Sequence, residues 1–264
     1  MPNVARMYNY YLAGKDHFEA DRRAADRLVS QIPQIPAAAL GNRQFLRRAV
    51  TAVAQAGIRQ FIDIGSGLPT PDNTHDVAHR VDPGIKVAYV DRDSQAVTHA
   101  RMLLEKGNEK TVRVLDGDLH QPEAVTLFLG DFIDFTQPVC LMLAAVMHFA
   151  ETPECYRLID EYKDRIAPGS YLILSHSTAD FLSPEQAEAI TEEYAGSNTR
   201  IFLRSREEIS RFFDGLALLD PAITDVATWR AGPVQPQRTL AYGGVGYKVD
   251  RAEFREIGPH KRSV

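Results

Sequence analysis

An apolar segment that runs straight into a glycine turn constrains this sequence more than any other feature. Phe61, Ile62 and Ile64 form a short apolar run, which Gly65 and Gly67 follow directly. A run of this length is typical of a parallel strand that is covered on both faces. Glycine has no Cβ, so the backbone can turn sharply there and pass close to a ligand. The stretch therefore predicts the ligand-binding end of a doubly wound α/β sheet.

The turn departs from the dinucleotide-binding fingerprint, which requires a third glycine three residues after Gly67. Thr70 stands at that position, and Pro69 and Pro71 delay the start of the next helix. A tight cradle for pyrophosphate is therefore not expected, and a ligand without phosphate fits the sequence better. An ordinary connection between a strand and a helix, with no ligand, is the alternative interpretation.

Composition excludes several classes of protein. The chain has 264 residues, of which 44% are hydrophobic and 25% charged, as in ordinary globular domains. A net charge of -5 gives no basic footprint for nucleic acid, so no nucleic-acid partner is expected. Cys140 and Cys155 lack metal-ligand spacing and suit a reducing compartment. With no apolar N-terminal region and no run of membrane length, we expect a cytoplasmic protein without a membrane partner.

Strand and helix patterns alternate along the chain after residue 57. A helical segment that begins after Ser183 separates the first five strands from a final pair, and the predicted strands are residues 61–64, 86–90, 112–115, 139–146, 171–175, 216–219 and 240–249. Residues 1–57 are helical in pattern, with a break at residues 14–16, and are expected to form a lid over the ligand. Packing against the sheet is the alternative for most of these residues. We therefore predict an α/β domain at residues 58–264, built on a doubly wound, mostly parallel sheet, with an exposed tail at 250–264.

Acidic residues stand at the ends of three predicted strands. Asp63 closes the first strand, Asp91 follows the second and Asp118 lies just after the third. The carboxyl ends of parallel strands meet at one edge of a sheet, so these side chains are expected along one rim. An acidic residue after the second strand is placed to accept hydrogen bonds from ribose hydroxyls. The pattern predicts a ligand that contains a nucleoside.

The order of elements and four motifs resemble the class I S-adenosylmethionine-dependent methyltransferases. The motifs are the glycine turn at residues 63–67, Asp91, the pair at 118–119 and residues 143–149. More narrowly, the chain resembles a bacterial family that was long catalogued as a domain of unknown function and is now labelled S-adenosyl methyltransferase. Residues 5–18, 42–50 and 63–69 carry that narrower likeness, which extends over nearly the whole chain.

The resemblance implies a Rossmann-like, seven-stranded sheet whose last strand is antiparallel, with S-adenosyl-L-methionine over the ends of the first four strands. It implies that the glycines face the cofactor, that Asp91 holds the ribose and that Asp118 meets the adenine amino group. Arg43 and Lys15 are candidates to pair with the cofactor carboxylate, although both also fit solvated surface charges. The candidate cofactor-binding residues are Lys15, Arg43, Asp63, Gly65, Ser66, Gly67, Asp91, Arg92, Asp118, Leu119 and Ala144.

Catalytic residues are harder to assign, because methyl transfer depends mainly on holding the reacting atoms in line. A general base is required only if the acceptor must lose a proton. His148 and His176 follow the fourth and fifth strands and point to the same rim, and Tyr11 and His17 are candidates to reach it from the lid. We select His148 and Tyr11 as the catalytic candidates. A hydrogen-bonded histidine without a catalytic part is the alternative.

Three functions remain open from the sequence. The first is methyl transfer to a small molecule that the sequence does not identify. The second is a regulatory protein that binds S-adenosylmethionine without turnover. The third is an NAD-linked oxidoreductase, which Gly65, Gly67 and Asp91 permit. The oligomeric state is not predicted.

Overall fold

A central mixed sheet organises the chain, of which the structure, a computed structural model, describes residues 1–232 and 238–249. Eight strands are present in those two ranges. The parallel strands are β1 Gln60–Ile64, β2 Lys86–Asp91, β3 Val112–Asp116, β4 Cys140–Ala144 and β5 Tyr171–Ser177. The remaining strands are β6 Ala217–Leu218, β7 Thr224–Asp225 and β8 Ala241–Tyr247, and β8 runs antiparallel to β5.

The strand order is β3-β2-β1-β4-β5-β8-β6, with β7 also paired to β8. The order reverses at β1, which lies between β2 and β4, and ligands of doubly wound sheets bind at such a reversal. The register aligns Ile64 with Val90 and Asp91 with Asp116, so the ends of the first three strands lie side by side. The sheet therefore offers a crevice at the carboxyl ends of β1, β2 and β4.

Helices cover both faces of the sheet and extend beyond its carboxyl edge. Their bounds are α1 Val4–Tyr11, α2 Glu19–Gln31, α3 Ile35–Gln55, α4 Thr74–His79, α5 Ser94–Ala100, α6 Pro122–Leu129, α7 Glu154–Arg165, α8 Pro184–Ala195 and α9 Arg206–Ser210. A π-helical turn at Arg101–Glu105 continues α5, and 3-10 turns occupy Met147–Phe149 and Arg211–Phe213. Capping boxes at Asn73, Ser183 and Ser205 begin α4, α8 and α9.

Alternate side chains of the strands enter two separate cores. In β1, Ile62 and Ile64 pack into the core that includes α6 and α7, whereas Phe61 packs into the core that includes α3. In β4, Leu141 packs into the core with α6 and α7, and Cys140 packs into the core with α3. Both faces are buried, which explains why these strands are continuous apolar runs rather than alternating ones.

A third apolar cluster lies outside the sheet and joins α1, α2 and α8. Met7, Leu28 and Ile190 are buried in it, together with Ile201. This cluster forms a cap over one end of the molecule, and we call α1, α2 and α8 the cap. Helix α3 joins both regions: Ala39 near its start packs in this cluster, whereas Phe45 and its neighbours pack against the sheet. The boundary predicted at residue 57 stays a prediction, but packing assigns most of α3 to the sheet and α8 to the cap.

The doubly wound, mostly parallel fold is confirmed, with one refinement at its edge. A sheet of seven strands was expected, and the two short strands β6 and β7 share the outermost strand position, each paired with β8. The glycines of β8 mark close approach: a Cβ on Gly243 would lie 2.9 Å from the Phe45 ring. The predicted tail at 250–264 lies outside the described residues. Among the helices of the described ranges, none has the length and apolar character needed to cross a membrane.

Candidate active site

A cavity of about 830 Å³ lies between the carboxyl edge of the sheet and helices α1, α3 and α8. This volume is typical of a site for a cofactor or another small molecule. All the residues predicted for the site line the cavity except Lys15, which is exposed and lies outside it. His17 is also absent from the lining; its ring bonds Gly14 and Arg22 instead. The break at residues 14–16 therefore contributes no charge to the cavity.

The glycine turn has no free backbone donor for a phosphate. The N–H groups of Gly65 and Ser66 both donate to the Val90 carbonyl, at 2.8 and 3.2 Å, and Gly67 donates to Asp91. Gly65 and Gly67 have φ of +70° and +66°, the left-handed region that favours glycine. A phosphate cradle depends on free N–H groups at such a turn. The turn suits a ligand without phosphate, as Thr70 indicated, and this disfavours NAD.

Asp91 stands at the end of β2 with both carboxylate oxygens in use. Oδ2 accepts from Gly67 at 2.7 Å, and Oδ1 accepts from the backbone N–H of Asp93 at 2.9 Å. Burial raises the pKa of Asp91, while these backbone bonds work in the opposite direction. Each carboxylate oxygen can accept a second hydrogen bond, so Asp91 can still bind two hydroxyl groups from the cavity.

Asp63 is the most buried carboxylate of the rim, with 6% of its surface exposed. It accepts a hydrogen bond from the Thr74 hydroxyl at 2.7 Å. Burial raises its pKa, and the bond from Thr74 and the charge of Arg43 oppose the shift. Arg43 is half-buried and donates to the Asp72 carbonyl at 2.8 Å. The pair places opposite charges beside the glycine turn, as a zwitterionic amino acid group requires.

Asp118 lies beyond β3 and is held by its neighbour. Its Oδ1 accepts from the backbone N–H of His120 at 3.0 Å and lies 2.7 Å from Nδ1 of the same residue. Burial opposes ionisation, but these hydrogen bonds outweigh it and lower the pKa of Asp118. Leu119 is buried behind it and Arg92 is exposed at the rim. An ionised acceptor next to an apolar side chain suits the amino edge of a nucleobase.

His148 lies in the 3-10 turn after β4 and is 4% exposed. Its Nδ1 accepts a hydrogen bond from the backbone N–H of Ser177 at 3.4 Å. Burial, with a contribution from the charge of Arg204, lowers its pKa to about 3. His176 packs edge-on against it with ring centroids 5.4 Å apart, and burial lowers the pKa of His176 as well. Both rings are therefore neutral at neutral pH.

The cap side of the cavity is aromatic and contains polar atoms without partners. Tyr11 is 8% exposed, and its buried hydroxyl lies beside the hydroxyl of Tyr194 without meeting hydrogen-bond geometry. Burial raises the pKa of Tyr11, and Tyr194 adds to the shift; burial raises the pKa of Tyr194 to about 12. Asn42 donates to the Tyr8 hydroxyl at 3.1 Å, but its Oδ1 is buried and unpaired. Both oxygens are fully buried, so neither is exposed to the cavity in this structure.

Sequence reasoning missed Tyr194 and Arg204. Tyr194 comes from α8, which the sequence predicted only as a helical segment between the fifth strand and the final pair. Arg204 follows an apolar segment and resembles any surface arginine in sequence, yet it is 2% exposed. No pattern in the sequence distinguishes it, because its partners are backbone carbonyls and a histidine distant along the chain.

Proteins of known structure resemble the chain over most of its length. A candidate methyltransferase from Thermobifida fusca YX is 37% identical, with a TM-score of 0.88 over 94% of this chain and 96% of that one. A DUF574 family protein from Streptomyces avermitilis MA-4680 is 34% identical, with a TM-score of 0.87 over 94% and 97%. Human N-acetylserotonin methyltransferase, solved with S-adenosylmethionine, is 14% identical with a TM-score of 0.52 over 94% and 63%, and shares the fold. No protein with curated function matches in sequence.

The strand order agrees with these likenesses, and the rim suits a cationic nucleoside without phosphate. Together with the family match, these features define an S-adenosylmethionine-dependent methyltransferase. A profile described as S-adenosyl methyltransferase matches residues 1–249. The chain belongs to that family, and S-adenosylmethionine is its cofactor. Family membership favours the enzyme over a regulator without turnover and over an NAD-linked oxidoreductase.

Proposed function

We propose that the protein transfers the methyl group of S-adenosylmethionine to a small molecule that binds in the same cavity. The observation that carries the proposal is the continuity of the cavity. It runs from the acidic rim at the ends of β1 to β3 to an aromatic region beneath the cap, where Tyr11 and Tyr194 lie. A cofactor on the rim leaves the region beneath the cap for an acceptor. Because cap helices enclose that region, a compact acceptor fits it better than a macromolecule.

In this proposal, each strand-end carboxylate binds a different part of the cofactor. Asp91 accepts hydrogen bonds from the ribose hydroxyls, and Asp118 accepts from the adenine amino group, with Leu119 and Arg92 beside the base. Asp63 and Arg43 hold the charged amino acid group. Gly65, Ser66 and Gly67 let the backbone approach the cofactor closely, and Ala144 lies at the end of β4. Lys15 has no part, because its side chain is exposed and outside the cavity.

Positioning supplies most of the catalysis. S-adenosylmethionine, when bound, supplies an electrophilic methyl group on a sulfonium. The rim holds one reactant and the cap region holds the other, so the chain fixes their mutual orientation. Holding reactants in line can contribute on the order of 7–11 kcal/mol to lowering a barrier. Such a mechanism needs no metal ligands, and the described residues contain no cluster of three or more side chains able to hold a metal ion.

We also propose that the protein is located in a reducing compartment, as the cytoplasm is. Cys140 and Cys155 are both buried and unpaired. Burial raises the pKa of each thiol, which keeps them protonated and unreactive. Two unpaired cysteines suit a compartment that maintains thiols.

The test uses labelled methyl groups and two fractions of a cell extract. Protein and S-adenosylmethionine with a radiolabelled methyl group are incubated with low-mass and macromolecular fractions separately. The proposal expects label in the low-mass fraction, and expects Asp91→Asn to abolish most of it. Label only in macromolecules would overturn the small-molecule acceptor, and no label in either fraction would overturn turnover itself.

A further inference from the structure

We propose that the acceptor enters as an oxyanion, a carboxylate or a phenolate, and that His148 binds it as a hydrogen-bond donor through Nε2–H. In this proposal Arg204 is the positioning residue that holds His148 and favours the negative charge. The inference rests on the proposed function, since it places the acceptor in the cavity that also holds the cofactor. It differs from the expectation that His148 removes a proton.

The hydrogen bonds of the two histidines fix their tautomers. Nδ1 of His148 accepts from the Ser177 N–H, so a neutral ring carries its proton on Nε2. His176 shows the reverse arrangement: Nδ1 donates to the Ser177 carbonyl at 2.7 Å, and Nε2 accepts from Nη1 of Arg204 at 2.9 Å. His148 therefore presents a donor, and a ring in that state cannot take a proton through Nε2.

Nε2 of His148 is available to a ligand. It has no hydrogen-bond partner among the described residues. It is also absent from the fully buried, unpaired polar atoms of those residues, so it keeps exposed surface. The residue lines the cavity between the end of β4 and the cap. The missing partner is consequently expected from the cavity, and only a group with a lone pair can supply it.

Arg204 fixes the turn that carries His148. Its guanidinium donates to the carbonyls of Met147 at 3.2 Å and Ala150 at 2.7 Å, on either side of His148 in the chain. The segment just before Arg204 also fixes the turn through its backbone, because Phe202 donates its N–H to the His148 carbonyl at 2.7 Å. The orientation of His148 thus follows from Arg204 and its neighbours.

The charge of Arg204 has no counter-ion. Its guanidinium is 2% exposed and its hydrogen-bond acceptors are two carbonyls, His176 and the Thr152 hydroxyl, all of them neutral. No carboxylate of the described residues lies within ion-pair distance of it, and its Nε is buried without a partner. A buried cation of this kind favours a nearby anion, because the low-dielectric interior screens its field weakly.

Charges are distributed unevenly around the cavity. The carboxylates that line it are Asp63, Asp91, Asp93 and Asp118, all from β1 to β3 and the loops that follow them. The lining from β4, β5 and the cap has no carboxylate in the described chain and instead contains a donor, Nε2–H of His148. One side thus suits a cationic cofactor, and the other suits an anionic acceptor.

The apolar surroundings define the rest of the acceptor. Phe149, Tyr194, Ile201 and Leu203 line the same side of the cavity. They suit a flat or aromatic body attached to the charged oxygen. An acceptor that arrives ionised needs no base: its oxygen forms the bond to the methyl carbon as the carbon–sulfur bond breaks, and no proton moves.

The experiment uses two matched pairs of probes with S-adenosylhomocysteine present. Calorimetry compares 2-naphthoate with neutral 2-naphthamide, and absorbance reports the ionisation of bound 4-nitrophenol, whose anion is yellow. We expect at least one anion to bind tenfold or more tightly than its neutral counterpart. A preference confined to naphthoate identifies a carboxylate acceptor, and one confined to nitrophenolate identifies a phenolate. Equal or tighter binding of the neutral forms, or no binding of either anion, would overturn the inference.

Variants separate a donor from a base. His148→Gln keeps an N–H near the position of Nε2 but cannot act as a base, so it should retain the anion preference. His148→Leu should lose it by about tenfold, and His99→Gln, outside the cavity, should match the wild type. Equal losses in His148→Gln and His148→Leu would contradict the donor role. Binding of S-adenosylhomocysteine is measured in each sample, and its failure would count against the proposed function instead.

Discussion

The backbone N–H of Gly67 donates to Oδ2 of Asp91 at 2.7 Å, which ties the turn after β1 to the end of β2. The same carboxylate is the group we propose for the ribose hydroxyls. Its position is therefore set before any ligand binds, because the glycine turn and the strand end hold each other. Preorganisation of this kind reduces the ordering that binding would otherwise require.

The two glycines of the turn should respond differently to alanine. A Cβ on Gly65 would lie 2.3 Å from Cγ2 of Val146, whereas one on Gly67 would have no atom within 4 Å. Both have positive φ, so each alanine costs about 1–2 kcal/mol of backbone strain. The clash adds about 1–3 kcal/mol for Gly65→Ala alone. Urea unfolding of both variants measures the difference, and Gly67→Ala as unstable as Gly65→Ala would contradict the close packing.

Gly67→Ala also tests the contact with the cofactor. Its Cβ points into open space in the chain, so the fold should survive. If the cofactor occupies that space, the added methyl group should clash with it, and the variant should bind S-adenosylhomocysteine at least tenfold more weakly. Unchanged affinity in calorimetry would place the cofactor elsewhere.

Asp63→Asn should stabilise the free protein and weaken the complex. Burial raises the pKa of Asp63, so its ionised form is disfavoured in the folded state at neutral pH. Asparagine retains an acceptor for Thr74 without the charge, so the free protein should be more stable than the wild type. Thermal unfolding with and without S-adenosylhomocysteine checks both effects. A less stable free protein would show that the charge of Asp63 is compensated, and the exposed Asp116→Asn is the control.

Acidification should destabilise the fold through its buried histidines. Burial lowers the pKa of His148 to about 3, below its ordinary value. Between these values the unfolded chain binds a proton that the folded chain does not, so stability falls as the pH falls. From pH 7.5 to 5.0, His148 accounts for about 2 kcal/mol of the loss. Urea unfolding should show a loss smaller by that amount in His148→Gln; an equal loss in variant and wild type would mean that His148 protonates freely.

Arg204 should be essential for the fold as well as for the cavity. Replacing it with methionine leaves the carbonyls of Met147 and Ala150 and Nε2 of His176 without their donor. Unpaired buried acceptors cost about 1–3 kcal/mol each, so a loss on the order of 3 kcal/mol or more is expected. Arg200→Met, which replaces an exposed arginine without a hydrogen bond or ion pair among the described residues, is the nearby control. A loss below about 1 kcal/mol in urea unfolding would contradict the buried network.

Local patterns predicted the sheet and its rim from sequence. The apolar runs of β1, β2 and β4 and the acidic residues beyond them follow rules of short range: buried parallel strands are apolar, and their ends face the ligand. The position of Thr70 correctly indicated a turn unsuited to phosphate. These features needed no knowledge of distant contacts.

Long-range contacts explain what the sequence did not predict. Arg204 bonds groups 28 to 57 positions away along the chain, and no local pattern marks such a side chain. Tyr194 reaches the cavity because α8 packs on α1 and α2, an association set by the cap cluster. Lys15 lies outside the cavity for a related reason, because a break between helices in sequence does not say which way a side chain points.

Calorimetric titration with S-adenosylhomocysteine tests the central claim, that strand-end carboxylates hold the cofactor, most directly. Wild-type protein is compared with Asp91→Asn and with Asp116→Asn, whose side chain stands at the end of the neighbouring strand but outside the cavity. We predict binding by the wild type, a loss of tenfold or more in Asp91→Asn from weakened charge-assisted hydrogen bonds, and no change in Asp116→Asn. No binding by the wild type, or equal affinity in all three proteins, would contradict the account.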